Sequence, residues 1–168
     1  IRNGFIITLI GRPNVGKSSL INYLSNKKAA IVTDEAGTTR DIIEVIMDFE
    51  GFPVILNDTA GIRTTKSEVE NIGIKKALQR AEASDLILVL SDNEDFSYPE
   101  LKSRCKKILV HTKSDLGLIS KKNIFNISIK EDRGIDNLTK IIVNNLKSLA
   151  PKEDFVLTRN RHVEAVKK

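Results

Sequence analysis

FIITLIGRPNVGKSSLINYL, residues 5–24, sets an apolar run directly before a turn holding two glycines and a proline, and follows that turn with a helix-forming stretch. A strand that runs into a glycine-rich turn and then a helix is the layout of a phosphate cradle. The glycines let the backbone bend until successive N–H groups face an anion, and the helix N-terminus adds a favourable dipole. The spacing Gly11, Gly16, Lys17, Ser18 fits G-x-x-x-x-G-K-[ST]. In that pattern Lys17 reaches the β- and γ-phosphates, the Ser18 hydroxyl ligates magnesium, and the backbone of Asn14, Val15, Gly16 and Ser19 completes the cradle.

Outward from this stretch, apolar runs recur at Phe5 to Ile10, Ile42 to Asp48, Val54 to Leu56, Leu86 to Leu90, Ile108 to His111 and Ile124 to Asn126. Between them lie segments with helical spacing: Ser18 to Leu24, Ile72 to Ala83, and Ile135 to Leu149, the last with a stripe of Leu138, Ile141, Ile142, Leu146 and Leu149. The alternation predicts an α/β fold, a mixed, mostly parallel six-stranded sheet with helices on both faces. FEGFP, residues 49–53, reads as the turn of an antiparallel hairpin between the second and third strands.

The chain has 168 residues, 40% hydrophobic and 29% charged, which suits one soluble domain with a sizeable core. No apolar run is long enough to span a membrane, and no secretory or transit signal is visible. The net charge of +5 is spread over scattered lysine pairs, which favours a solvated surface over one nucleic-acid face. The lone Cys105 excludes an internal disulfide or cysteine metal cluster and fits a cytoplasmic setting. A chain that opens on Ile1 and closes on the helix-friendly LTRNRHVEAVKK reads as a domain, 1–150, followed by a return segment, 151–168, into a truncated helical domain.

Three further motifs bear on the ligand. DTAG, residues 58–61, follows the third run, where Asp58 comes near magnesium through water and the Gly61 N–H near the γ-phosphate. GTTRD, residues 37–41, lies in a polar loop before the second run, and Thr39 is the expected second hydroxyl ligand of magnesium. HTKSD, residues 111–115, selects the base: the Asp115 carboxylate accepts from the ring N–H and exocyclic amine of guanine, whereas adenine would meet it with an acceptor. GTP is therefore the expected ligand. Thr112, Lys113, Ser128, Ile129 and Lys130 complete the base pocket, while His111 and His162 lack metal-ligand company.

Together GRPNVGKS, GTTRD, DTAG, TKSD and SIK resemble the translation-factor-related, Era-like GTPases, with a Ras-like P-loop fold. DTAGIR followed by EVENIGI, the AAIVTDEAGTTRD loop and RNRHVEAV are similar to their tRNA-modification branch rather than to the Era and Der branches. The resemblance covers about Gly4 to Leu149. It implies hydrolysis of GTP to GDP, a second copy of the domain meeting the first across the switches, and, in the whole protein, a flavoprotein partner and tRNA. Ile62 stands where Ras-type enzymes carry a water-orienting glutamine. From the residues alone Glu70 is a solvated acid ahead of a helix, where negative charge is favourable; the resemblance gives it the water, with Glu68 the competing carboxylate. The resemblance also implies that potassium replaces an arginine finger, held by Asn14 and by carbonyls of the loop from about Thr33 to Thr38. No arginine finger is evident: Arg40 in GTTRD and Arg63 in DTAGIR each read as a structural ion-pair partner as well, and Asn14 is equally readable as loop geometry alone. Thr112 departs from the usual asparagine and reduces that residue's contacts to base and neighbouring loop to those of a hydroxyl. A ribosome-assembly GTPase of the Era or Der type, or a GTP-gated binding module with negligible hydrolysis, is the alternative.

Overall fold

The computed structural model describes residues 4–28, 31–32, 44–59, 78–98, 101 and 104–150. The strands are β1 (Phe5–Gly11), β2 (Ile31–Val32), β3 (Glu44–Phe49), β4 (Phe52–Asp58), β5 (Leu86–Ser91), β6 (Lys106–His111) and β7 (Ile124–Asn126). They form one sheet in the order β2-β3-β4-β1-β5-β6-β7. Each of the six expected runs is a strand. The added edge strand β2 has only two residues, Ile31 opposite Ile46 and Val32 opposite Val45, too short for any periodic signal.

β1 lies in the middle, parallel to β4 and to β5, and β5 continues the parallel run through β6 to β7. Parallel strands buried on both faces read as continuous apolar runs, and all six residues of β5, LILVLS, are buried. The hairpin is present: β3 and β4 pair antiparallel with Phe49 opposite Phe52 across Glu50 and Gly51. The Asp48 carboxylate accepts from the Gly51 N–H at 2.8 Å, which steadies this turn.

Among the described residues, two helices cover one face. α1 (Lys17–Lys27) and α2 (Ile135–Leu149) pack Leu20, Ile21, Leu24, Leu138, Ile142 and Leu146 with Ile7, Leu9, Leu86, Leu88 and Leu90 in one core. On the opposite face the helical residues 78–82 bring Ala81 against Ile10, Ile87 and Val89. The expected stripe of α2 holds except at its end, where Leu149, the last residue of the helix, is exposed. Each fully buried leucine or isoleucine contributes about 1.5–3 kcal/mol.

α2 starts at Gly134, whose φ of 79° is a left-handed conformation and whose Cβ position lies 2.1 Å from the Asn126 carbonyl oxygen. Only glycine allows the helix to begin so close to β7. Gly134→Ala is expected to lower stability by about 2–4 kcal/mol, from backbone strain and the displacement of β7. Gly117→Ala, with nothing within 4 Å of the added methyl, should change it by less than about 0.5 kcal/mol. Urea unfolding midpoints at unchanged m-value check both.

Candidate nucleotide site at the strand C-termini

Because β1, β4, β5, β6 and β7 are mutually parallel, the segments that follow Gly11, Asp58, Ser91, His111 and Asn126 leave the same edge of the sheet. That edge is where open α/β sheets bind ligands.

The turn after β1 is tied down through its carbonyls. Lys17, 5% exposed, folds back so that its Nζ donates to the Gly11 carbonyl at 3.1 Å and the Arg12 carbonyl at 2.9 Å. Lys113 Nζ donates to the Asn14 carbonyl at 3.0 Å, and Thr112 Oγ1 to the Val15 carbonyl at 2.7 Å. The Gly16 carbonyl accepts from Leu20 N and begins α1. Gly16 itself sits at φ 104°, and α1 starts with no side-chain cap. The first N–H groups of a helix have no intrahelical acceptor, so this arrangement offers donors to an anion. Burial lowers the pKa of Lys17, opposed by the negative charge of Asp58. An incoming phosphate favours the charged ammonium and competes for it with the two carbonyls.

Asp58 ends β4 and is buried, with its Oδ2 accepting from the Ser18 hydroxyl. Its Oδ1 is also buried and has no hydrogen-bond partner among the described residues. A buried carboxylate oxygen without a partner beside a hydroxyl is costly, and it is the hard-oxygen environment that suits magnesium. Magnesium is commonly held by one or two carboxylates with the remaining ligands from phosphates and water. The residues present therefore fit the ion. Among the described residues no group of three or more His, Cys, Asp or Glu could hold a metal by itself.

At the far side, Ser128 Oγ donates to the Asp115 carboxylate at 2.7 Å. That hydrogen bond, together with Lys130 and Arg133, holds the Asp115 pKa below its ordinary value against the opposing effect of desolvation. Ser128 is itself fixed: its backbone exchanges two 2.9 Å hydrogen bonds with Arg133, and its hydroxyl accepts from Glu131 N at 3.2 Å. Ser114 N donates to the Ile127 carbonyl at 3.0 Å, and an Arg133 guanidinium N–H donates to the Ser114 carbonyl at 3.2 Å. The two base-loop motifs are thus one unit. Ile129 packs against the core, while Lys130 and Ser19 are exposed.

His111 has a structural role. Its Nδ1 lies 2.8 Å from Asn126 Oδ1, an oxygen that also accepts from Ile119 N, so the ring nitrogen donates. Thr112 is buried and its hydroxyl donates to the Val15 carbonyl, which ties it to the neighbouring loop. Thr33, Thr38, Thr39, Arg40, Gly61, Ile62, Arg63, Glu68 and Glu70 lie outside the described residues, as does 151–168. Motif reading missed Arg12, Asp92, Asp95 and Arg133, which meet the site through ion pairs and main-chain contacts rather than through any spacing.

The Thr112 hydroxyl generates a direct expectation. Thr112→Val removes the donor to Val15 while keeping the shape, and should weaken GDP binding roughly three- to tenfold, whereas Thr112→Ser should stay close to the parent. Calorimetric titration with GDP measures this.

The comparisons agree with the geometry. The family model of 50S ribosome-binding GTPases matches residues 6–124. The chain is 44% identical over 99% of its length to the tRNA modification GTPase MnmE of Dinoroseobacter shibae, and 43% identical over 99% to that of Maricaulis maris. It spans only 38% and 39% of those two proteins. Among solved structures it is similar to Era in complex with MgGDPNP and nucleotides 1506–1542 of 16S ribosomal RNA, with a TM-score of 0.65 and 27% identity over 84% of this chain and 56% of that one. The G domain of the FeoB iron transporter of T. maritima shares the fold, with a TM-score of 0.64 and 24% identity over 84% of this chain and 98% of that one. With its phosphate loop, its Ser18–Asp58 pair and its Asp115 base loop on one sheet edge, the chain belongs to the 50S ribosome-binding GTPases, a family of GTP-hydrolysing enzymes with a Ras-like fold.

Proposed function

We propose that this chain is the GTP-hydrolysing domain of a protein that modifies the wobble uridine of tRNA, stimulated by potassium when two copies of the domain meet across their switches. The observation that carries the reading is the 44% identity over 99% of the chain to a protein named tRNA modification GTPase MnmE. In the whole protein the flavoprotein MnmG and tRNA are the partners. The modification chemistry lies outside these residues.

GTP occupies the edge described above. Its phosphates take the backbone N–H groups of Asn14 to Ser19, and Lys17 exchanges the carbonyls of Gly11 and Arg12 for β- and γ-phosphate oxygens. Ser18, Thr39 and, through water, Asp58 are the residues that hold magnesium, which supplies positive charge to the β- and γ-phosphate oxygens when bound. Asp115, oriented by Ser128, accepts from the guanine N–H groups, with Thr112, Lys113, Ile129 and Lys130 around the base. The Gly61 N–H faces the γ-phosphate, and Glu70 positions the attacking water that the Ile62 side chain cannot hold. Asn14 and the carbonyls from Thr33 to Thr38 hold potassium, which takes the place of an arginine finger. Support for Asn14 comes from its position: an exposed side chain at φ 60° on a loop whose carbonyl is pinned by Lys113.

Single-turnover GTP hydrolysis in matched potassium and sodium buffers tests the reading. Potassium is expected to stimulate at least tenfold, and Asn14→Ala to remove the stimulation; equal rates in both salts would overturn it. Glu70→Ala should lower the potassium-stimulated rate by roughly two to four decades with GDP affinity unchanged, whereas an unchanged rate would leave a surface charge.

Base binding also has a pH signature. Since the Asp115 pKa is lowered in the folded chain, its ionised acceptor is present throughout the neutral range. Guanine affinity should therefore stay flat at neutral pH and fall only when the pH drops below the ordinary carboxylate range. GDP titrations across pH check the sign.

A further inference from the structure

DNED, residues 92–95, is an acidic run in a chain of net charge +5, and it directly follows β5. In the sheet β5 lies between β1 and β6. The segment after β5 therefore stands between the phosphate loop, which follows β1, and the base loop, which follows β6. Its three carboxylates go to three different places. Asp92 Oδ2 lies 2.8 Å from Lys113 Nζ, Glu94 Oε2 lies 2.6 Å from Lys121 Nζ, and Asp95 is paired with the Arg12 guanidinium.

The segment is held in shape for this task. Ser91 Oγ donates to the Asp95 carbonyl at 2.7 Å, Asp95 N to Asn93 Oδ1 at 2.8 Å, and Ser97 N to Asp95 Oδ1 at 2.9 Å. The Ser91 carbonyl accepts from Thr112 N at 2.8 Å, joining the same segment to the base loop through the main chain. Lys113 is shared: the ammonium that Asp92 holds is the one that binds the Asn14 carbonyl.

We propose that residues 92–95 are a positioning element for nucleotide binding, which braces the phosphate loop through Arg12 and the base loop through Lys113 and Lys121 before the nucleotide arrives. The acids touch no part of the ligand in this role; they act through the cations. The Lys113 and Lys121 ammonium groups stabilise the ionised carboxylates of Asp92 and Glu94 and so lower their pKa values, in agreement with pairs that persist at neutral pH. The inference rests on nucleotide binding at this edge and is independent of potassium and tRNA.

The opposite expectation is equally physical, which makes the test decisive. Acids beside a polyanion site could simply repel it, and their removal would then tighten binding. Exposed ion pairs are individually weak, so an effect on affinity requires that they act together on loop geometry. In the intact protein, Asp92→Asn combined with Asp95→Asn should raise the Kd for GDP and for a non-hydrolysable GTP analogue by the same factor, roughly three- to tenfold, with kcat at saturating GTP unchanged. The gap from wild type should shrink as salt rises from about 0.05 to 0.5 M, because screening weakens the brace in the wild type only. Asp92→Glu should restore most of the affinity. A Kd unchanged within twofold, a lower Kd, or a gap indifferent to salt would overturn the proposal. Asp95→Asn alone, at a pair exposed on both sides, gives the same readout should the double variant fold poorly. A wild type that fails to bind GDP would instead overturn the nucleotide site itself.

Discussion

The structure depends on how the carbonyl oxygens between Gly11 and Gly16 are satisfied. This turn leaves the central strand of the sheet, and its backbone must be held without using up the N–H groups that an anion needs. Lys17 takes the carbonyls of Gly11 and Arg12, Lys113 that of Asn14, Thr112 that of Val15, and α1 that of Gly16. An unpaired buried carbonyl costs as much as a lost hydrogen bond, so the buried Val15 carbonyl makes the Thr112 donor a condition of the loop's shape, and the other donors steady it. Two of the donors come from residues about a hundred positions away in the chain. The phosphate loop is therefore completed by the base loop.

That dependence explains why the remaining site residues lie where they do. Parallel pairing of β4, β1, β5 and β6 delivers Asp58, the phosphate loop, the acidic segment and the base loop to one edge in a fixed lateral order. The Ser128–Arg133 bridge and the close start of α2 at Gly134 then fix Ser128 under Asp115. Tyr23 and Lys27 in the second half of α1 meet Asp132 in that same bridge region, so the helix that opens at the glycine-rich turn closes beside the Asp115–Ser128 unit.

What could be read in advance follows from whether a feature is local. The six longer strands were legible because buried parallel strands are apolar runs, and the hairpin because two residues between alternating strands leave few turns to choose from. β2, with two residues, carries no pattern, and β4 extends beyond Val54 to Leu56 because its pairing with β3 starts at Phe52. In the site, Lys17, Ser18, Asp58, Thr112, Lys113, Asp115 and Ser128 were visible through motif spacing, and they converge on one edge. Arg12, Asp92, Glu94 and Asp95 were not, since their pairs join positions 83, 21 and 27 residues apart and no periodicity records a contact between loops. For Thr112 the side chain was legible but its partner was not: a hydroxyl reaches Val15 only because the two loops already lie side by side.

The most direct measurement is a crystal structure of the protein with magnesium and a non-hydrolysable GTP analogue. Lys17 Nζ should leave the carbonyls of Gly11 and Arg12 for phosphate oxygens, Asp58 Oδ1 should gain a partner, and Lys113 and Thr112 should keep the carbonyls of Asn14 and Val15. A loop that binds the phosphates only after Lys113 and Thr112 have released it would contradict the claim that the base loop holds the phosphate cradle ready.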